Sequence, residues 1–242
     1  MTRRRWIADT FTDTAASLLG PQAEHLARVL RAQPGTEADI VANGRVYHAS
    51  IASVHLHEVS FKLLAEIPFE RALPVTLLLA VFKFDRMEWA IEKATELGVV
   101  TIVPLIAKRT EKHLAQAAGK RVERWRRIAQ EAAQQSRRAD IPIIEEPTAL
   151  PARLQLNTDA QHILLAEEEH NTSLRQRIDA ALDATGPDIP SFEFAIGPEG
   201  GWTPEELVLF QKHQWSSASL GPRILRAETA AIATLAIASS LL

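Results

Sequence analysis

VTLLLAVFKFDRMEWAIEKATELGVVTIVPL, residues 75–105, decides the fold. The run 75–82 is almost continuously apolar, the pattern of a strand buried on both faces. Residues 87–97 carry apolar side chains at 87, 91 and 94, one face of a helix, and Gly98 stands where a helix ends. The run 99–105 is a second apolar strand. Strand, helix and strand at this spacing form a βαβ unit of a parallel sheet.

Downstream the same grammar continues. A long helix is expected over 120–138, with Val122, Trp125, Ala129 and Ala132 as its buried stripe. Strands are expected at 162–166 and 192–197, a helix from Thr203, a short strand at 219–220 and a last helix from Ala227 to the end. Upstream the elements are shorter. Two apolar runs flank Asn43-Gly44, whose residues tolerate positive φ and mark a hairpin. Residues 59–63 alternate as another strand, and a short helix fits 22–31. This reads as a small β-barrel over 1–70, a linker at 68–74, and an α/β domain over 74–242.

Composition narrows the class. Of 242 residues, 46% are hydrophobic and 24% charged, which suits a chain with a buried core. The absence of cysteine excludes disulfides, thiolate metal sites and a cysteine nucleophile. The eight histidines show no metal-ligand spacing, so no metal is expected. No apolar run approaches the roughly 20 residues that span a bilayer. The basic first ten residues lead into no apolar core, so they are not a secretory signal, and the expected compartment is the cytoplasm. The net charge of −3 hides an asymmetry. Residues 1–150 hold 21 Lys+Arg against 18 Asp+Glu, residues 151–242 hold 6 against 12, and +3 with −6 restores −3. Polyanion contacts therefore belong to the first part.

Two loops invite a ligand. Ala195-Ile196-Gly197-Pro198-Glu199-Gly200-Gly201-Trp202 ends a buried strand, where parallel sheets seat ligands, and its glycines admit close backbone approach. Thr203, Pro204 and Glu206 form a capping box that pins its exit. The loop is not a phosphate loop, because the spacing is wrong and Glu199 would repel phosphate. Leu220-Gly221-Pro222-Arg223-Ile224-Leu225-Arg226-Ala227-Glu228-Thr229 repeats the arrangement of strand, Gly-Pro loop and helix. The two loops would be two walls of one pocket, with Leu164-Leu165-Ala166-Glu167 a third. A nicotinamide enzyme is disfavoured, since residues 82–86 after the first strand hold no glycine.

These loops, together with His25-Leu26, Val29-Leu30-Arg31, Glu92–Val99, Arg124-Trp125 and Glu131–Ser136, resemble the bacterial 16S ribosomal RNA uracil-N3 methyltransferases. That family lies in the SPOUT superfamily of trefoil-knotted methyltransferases, and the resemblance covers nearly the whole chain. It implies a PUA-like β-barrel that holds RNA, followed by a knotted α/β domain that binds S-adenosylmethionine, and a homodimer. Carried over by position, the cofactor residues are Leu165, Ala166 and Glu167; Ile196, Gly197, Pro198, Glu199 and Gly200; and Leu220, Gly221, Ile224, Leu225 and Thr229. Two positions depart from the family: Arg137 where a small residue is usual, and Ala227 where a threonine is.

Methylating N3 of uracil requires loss or stabilisation of its proton. No histidine stands in the cofactor motifs. An arginine beside a uracil carbonyl would stabilise the anion, and Arg138, Arg5 and Arg226 are the candidates, in that order. RNA contacts are expected from Arg3, Arg4, Arg28 and Arg31 and from Arg124 and Arg127 on the long helix, with 16S rRNA in the small subunit as partner. The alternative is an RNA-binding ribosome-assembly protein with an inactive methyltransferase fold.

Overall fold

A computed structural model describes residues 5–69 and 72–242, so Arg3 and Arg4 lie outside the described residues. The chain forms two compact units. The first holds a six-stranded sheet of β1 (Arg5–Ile7), β2 (Thr10–Phe11), β3 (Ala15–Leu19), β4 (Glu37–Ala42), β5 (Arg45–Val54) and β6 (Glu58–Ile67), in the order β1-β4-β5-β6-β3-β2. All neighbours are antiparallel except β1 and β4. Asn43 and Gly44 turn β4 into β5 at φ 51° and 68°, the paired positive angles of a two-residue hairpin. The expected helix at 22–31 is instead α1 (Gly20–Glu24) running into a π-helical turn (His25–Val29). Trp6, Leu18, Leu26, Ile40 and Phe61 build this unit's core.

The second unit carries an all-parallel sheet. Its strands are β7 (Val75–Ala80), β8 (Thr101–Ile106), β9 (Ile143–Ile144), β10 (Thr148–Ala149), β11 (Gln161–Leu165), β12 (Phe192–Ile196) and β13 (Ser216–Ala218). The order is β10-β8-β7-β12-β11-β13, with β9 also on the outer edge of β8. The helices are α2 (Phe84–Glu96), α3 (Lys112–Ala117), α4 (Val122–Gln135), α5 (Leu150–Leu154), α6 (Leu174–Thr185), α7 (Pro204–Lys212) and α8 (Ala227–Ser239). The period of two along β7 sorts the core. Val75, Leu77 and Leu79 meet Met87, Trp125, Ile178 and Leu235 on one face. Leu78 and Ala80 meet Leu150, Phe210 and Trp215 on the other. Apolar side chains on both faces are why 75–82 reads as an uninterrupted run.

Three expectations shift. The long helix stops at Gln135, and Arg137 follows at φ 61°, so Arg138 stands off the helix. The strand placed at 219–220 is β13, three residues earlier, with an isolated bridge at Ser219. The last helix forms as expected, with Ala231, Leu235 and Ala238 buried in the core, where α8 packs on α2 and α6. Residues Ala133–Ile141 belong to the first compact unit, through Ala139 against Val41 and Val46, whereas a cut at 70–74 assigns them to the second domain. No helix among the described residues is long and apolar enough to cross a membrane.

Candidate active site

β12, β11 and β13 are adjacent and parallel, so the loops leaving their C-terminal ends emerge side by side. All thirteen residues that the resemblance assigns to the cofactor lie on these exits or on the first turn of α8. The Gly-rich loop is held from several directions. Gly201 turns back to Pro198 through a 2.8 Å backbone bond at φ 71°. Trp202 is buried and its indole Nε1 donates to the Leu165 carbonyl at 3.2 Å. A Cβ on Gly197 would meet that indole at 3.2 Å, which explains the glycine. Arg109, just beyond β8, donates to the carbonyls of Gly200 (2.6 Å) and Trp202 (3.1 Å). The Thr203 capping box closes the loop, and buried Glu206 also accepts from the Lys108 backbone at 2.7 Å.

The loop after β13 is tied at its root and open at its tip. Ser219 exchanges backbone bonds with Thr172 and Leu174, both 2.9 Å. Gly221 has φ 112°, which a side-chain-bearing residue rarely adopts. Ile224 is 81% exposed, an apolar side chain without cover. In the loop after β11, Glu169 accepts from the backbone of Asn171 and Thr172, which holds its pKa below the usual carboxylate value.

Charge gathers beside these loops. Arg86, in the first turn of α2, lies 3.5 Å from both Glu199 and Glu228, and Lys83 lies 3.9 Å from Glu199. No local motif in the sequence marks Arg86, Lys83 and Arg109. Their signal was position: each follows a parallel strand at its C-terminal end, where the ligand rule already pointed.

The catalytic candidates separate. Arg226 stands exposed at the N-cap of α8, among the cofactor loops. Arg138 and Arg5 belong to the first unit. Arg138 is 9% exposed and pairs with Asp140 through Nη2 at 2.5 Å and Nε at 3.3 Å. Arg5 donates to the Arg137 carbonyl, and burial lowers its pKa, with Asp39 opposing. Of the RNA candidates, Arg28, Arg31, Arg124 and Arg127 are exposed. Arg124 makes a two-pronged pair with Glu88, at 2.7 and 2.8 Å.

A parallel sheet whose loops emerge side by side at three neighbouring strand ends defines the class: an α/β protein with its loop cluster where parallel sheets place ligands. A family described as an RNA methyltransferase domain matches residues 69–239. Ribosomal RNA small subunit methyltransferase E of Bacillus subtilis is 31% identical over 227 residues, 92% of this chain and 89% of its own. That of Rickettsia conorii is 33% identical over 208 residues, covering 86% and 78%. The crystal structure of the Neisseria gonorrhoeae protein of that name, bound to S-adenosyl methionine, superposes with a TM-score of 0.84 at 26% identity, covering 99% of this chain and 98% of that one. The chain belongs to the RNA methyltransferase family, in the branch of ribosomal RNA small subunit methyltransferase E.

Proposed function

We propose that the protein transfers a methyl group from S-adenosylmethionine to N3 of a uridine in 16S rRNA of the small subunit, in the cytoplasm. The observation that carries this reading is the three exits of β12, β11 and β13 side by side, built from the residues the resemblance assigns to the cofactor. The surface suits that ligand. Ile224 offers an uncovered apolar side chain to an adenine, and Gly221, with nothing within 4 Å of where a Cβ would stand, leaves backbone open to close approach. Leu165, Ala166, Glu167, Ile196, Pro198, Glu199, Gly200, Leu220, Leu225 and Thr229 complete the set. The cofactor, when bound, supplies a methyl group on a positive sulfur.

The chain's own residues orient the reactants, which supplies much of the rate. A guanidinium at a uracil carbonyl stabilises the negative charge that N3 acquires as its proton leaves. Arg226 takes first place in this role, because it is exposed among the cofactor loops. Arg138 comes second, since its pair with Asp140 competes for it, and Arg5 third.

Finer features belong to the same reading. A trefoil knot in the second unit is supported by the exit of β13, which hydrogen-bonds to the 172–174 segment after β11 before α8 packs on α2 and α6. A PUA-like barrel over 1–70 is supported by the largely antiparallel first sheet. A homodimer built on the domain at 74–242 is supported by Trp89 on α2, 47% exposed.

The test is tritiated methyl transfer from S-adenosylmethionine to purified small subunits, beside calorimetry of the cofactor. Transfer that maps to uridine N3 by mass spectrometry supports the reading. Cofactor binding without transfer would assign the inactive RNA-binding alternative.

A further inference from the structure

Glu228 is the second residue of α8 and is 6% exposed. Its Oε1 lies 3.5 Å from Nη1 of Arg86. Its Oε2 is buried with no hydrogen-bond partner among the described residues. A buried carboxylate in this condition depends on a nearby cation. The same Nη1 lies 3.5 Å from Oε1 of Glu199. One guanidinium on α2 thus faces two carboxylates from different parts of the site. Glu199 belongs to the loop after β12, and Glu228 to the helix that closes the loop after β13. Without the cation the two would repel at short range.

We propose that Arg86 is a positioning residue for the cofactor: by facing Glu199 and Glu228 together it sets the spacing of the two Gly-Pro loops that hold S-adenosylmethionine. This rests on the cofactor assignment above and goes beyond it, because it places a determinant of affinity on α2, outside all three loops. At 3.5 Å the contacts are long for hydrogen bonds, so the restraint is chiefly electrostatic. The planar guanidinium spreads its charge over several donors, which suits two carboxylates better than a compact ammonium does.

The experiment titrates S-adenosylmethionine into the full-length protein and its variants by calorimetry, with steady-state kinetics on small subunits. Arg86→Ala should weaken cofactor affinity roughly tenfold and raise KM for the cofactor in proportion, while kcat and KM for RNA stay within about twofold. Arg86→Lys should recover part of the loss. Arg86→Ala combined with Glu228→Gln should recover most of it, because no buried carboxylate then stands unpaired. If Arg86→Ala fails to fold, the lysine and double variants carry the test. Unchanged affinity in Arg86→Ala overturns the proposal. So does a raised KM for RNA with cofactor affinity intact, or a double variant no better than the single one. A wild type that binds no cofactor overturns the site assignment and this proposal with it.

Discussion

The indole Nε1 of Trp202 donates to the backbone carbonyl of Leu165 at 3.2 Å, and so joins the Gly-rich loop to the end of the neighbouring strand. Trp202→Phe keeps a ring against Phe210, whose centroid is 4.8 Å away, and removes only the donor. The expected loss is about 1 kcal/mol of stability and a several-fold weaker cofactor affinity. Gly197→Ala should act on the same bond, because its methyl meets the indole at 3.2 Å and must displace it. Urea denaturation and calorimetry read both effects. A phenylalanine variant unchanged in both would show that the bond does not shape the loop.

Arg226 and Arg138 should fail in different ways. Arg226→Ala is expected to lower kcat about a hundredfold, with cofactor affinity preserved. Arg138→Ala should chiefly lower stability, because it removes a buried side chain and its pair with Asp140. Single-turnover methyl transfer and unfolding midpoints separate the two. If Arg138→Ala loses turnover at full stability, the order of the candidates reverses.

Arg124 and Arg127 lie three residues apart on α4 but should contribute unequally to RNA binding. Glu88 occupies the guanidinium of Arg124 and holds its pKa above the ordinary value. Arg127 is exposed. Arg127→Ala should therefore flatten the salt dependence of RNA affinity by about 0.7–0.9 in log–log slope, one phosphate contact. Arg124→Ala should change it less. Filter binding at several salt concentrations checks this, and equal slopes for both variants would contradict it.

His162 makes stability sensitive to acid. Burial pushes its pKa below the usual histidine value; Glu193 opposes the shift and Arg153 reinforces it. The ring stacks on Trp215 at 5.0 Å and shares a 2.8 Å bond with Thr158. A histidine kept neutral in the fold contributes stability that is present above its unfolded pKa, about 6.5. That contribution is lost as pH falls from there towards the lower folded value. His162→Gln should flatten urea midpoints between about pH 7 and pH 5. Parallel midpoint curves for variant and wild type would remove His162 as the cause.

Much of this was legible because it is local. The apolar run of β7, the face at Met87, Ile91 and Ala94, and Gly98 at φ 94° together spell a βαβ unit. The box Thr203-Pro204-Glu205-Glu206 caps α7 as read. Ser173 and Gln176 form the same kind of box before Leu174, Ile178 and Ala181, so α6 carried a signal that went unread. β13 is hidden from hydropathy, because its Ser216-Ser217 is polar while Leu220 beyond it is apolar; pairing with β11 makes the strand. Arg86 and Glu199 are 113 residues apart, and no local pattern joins such a pair. Nothing in Gln135-Ser136-Arg137 announces the positive φ that ends the helix before Arg138.

Ala139 closes against Val41 and Val46 from about a hundred residues further along the chain. The first unit is therefore not finished when its last strand has been made. As the chain leaves the ribosome, β4 and β5 wait for most of β7 to α4 to be synthesised before that cluster can close. A fragment ending at residue 70 would lack Ala139 and expose the apolar patch it covers. A fragment beginning at residue 74 would carry Ala133–Ile141 without the partners they pack on. Expression of either half alone should thus give a less soluble product than the whole, and a nick in the 68–74 linker should leave the two pieces associated.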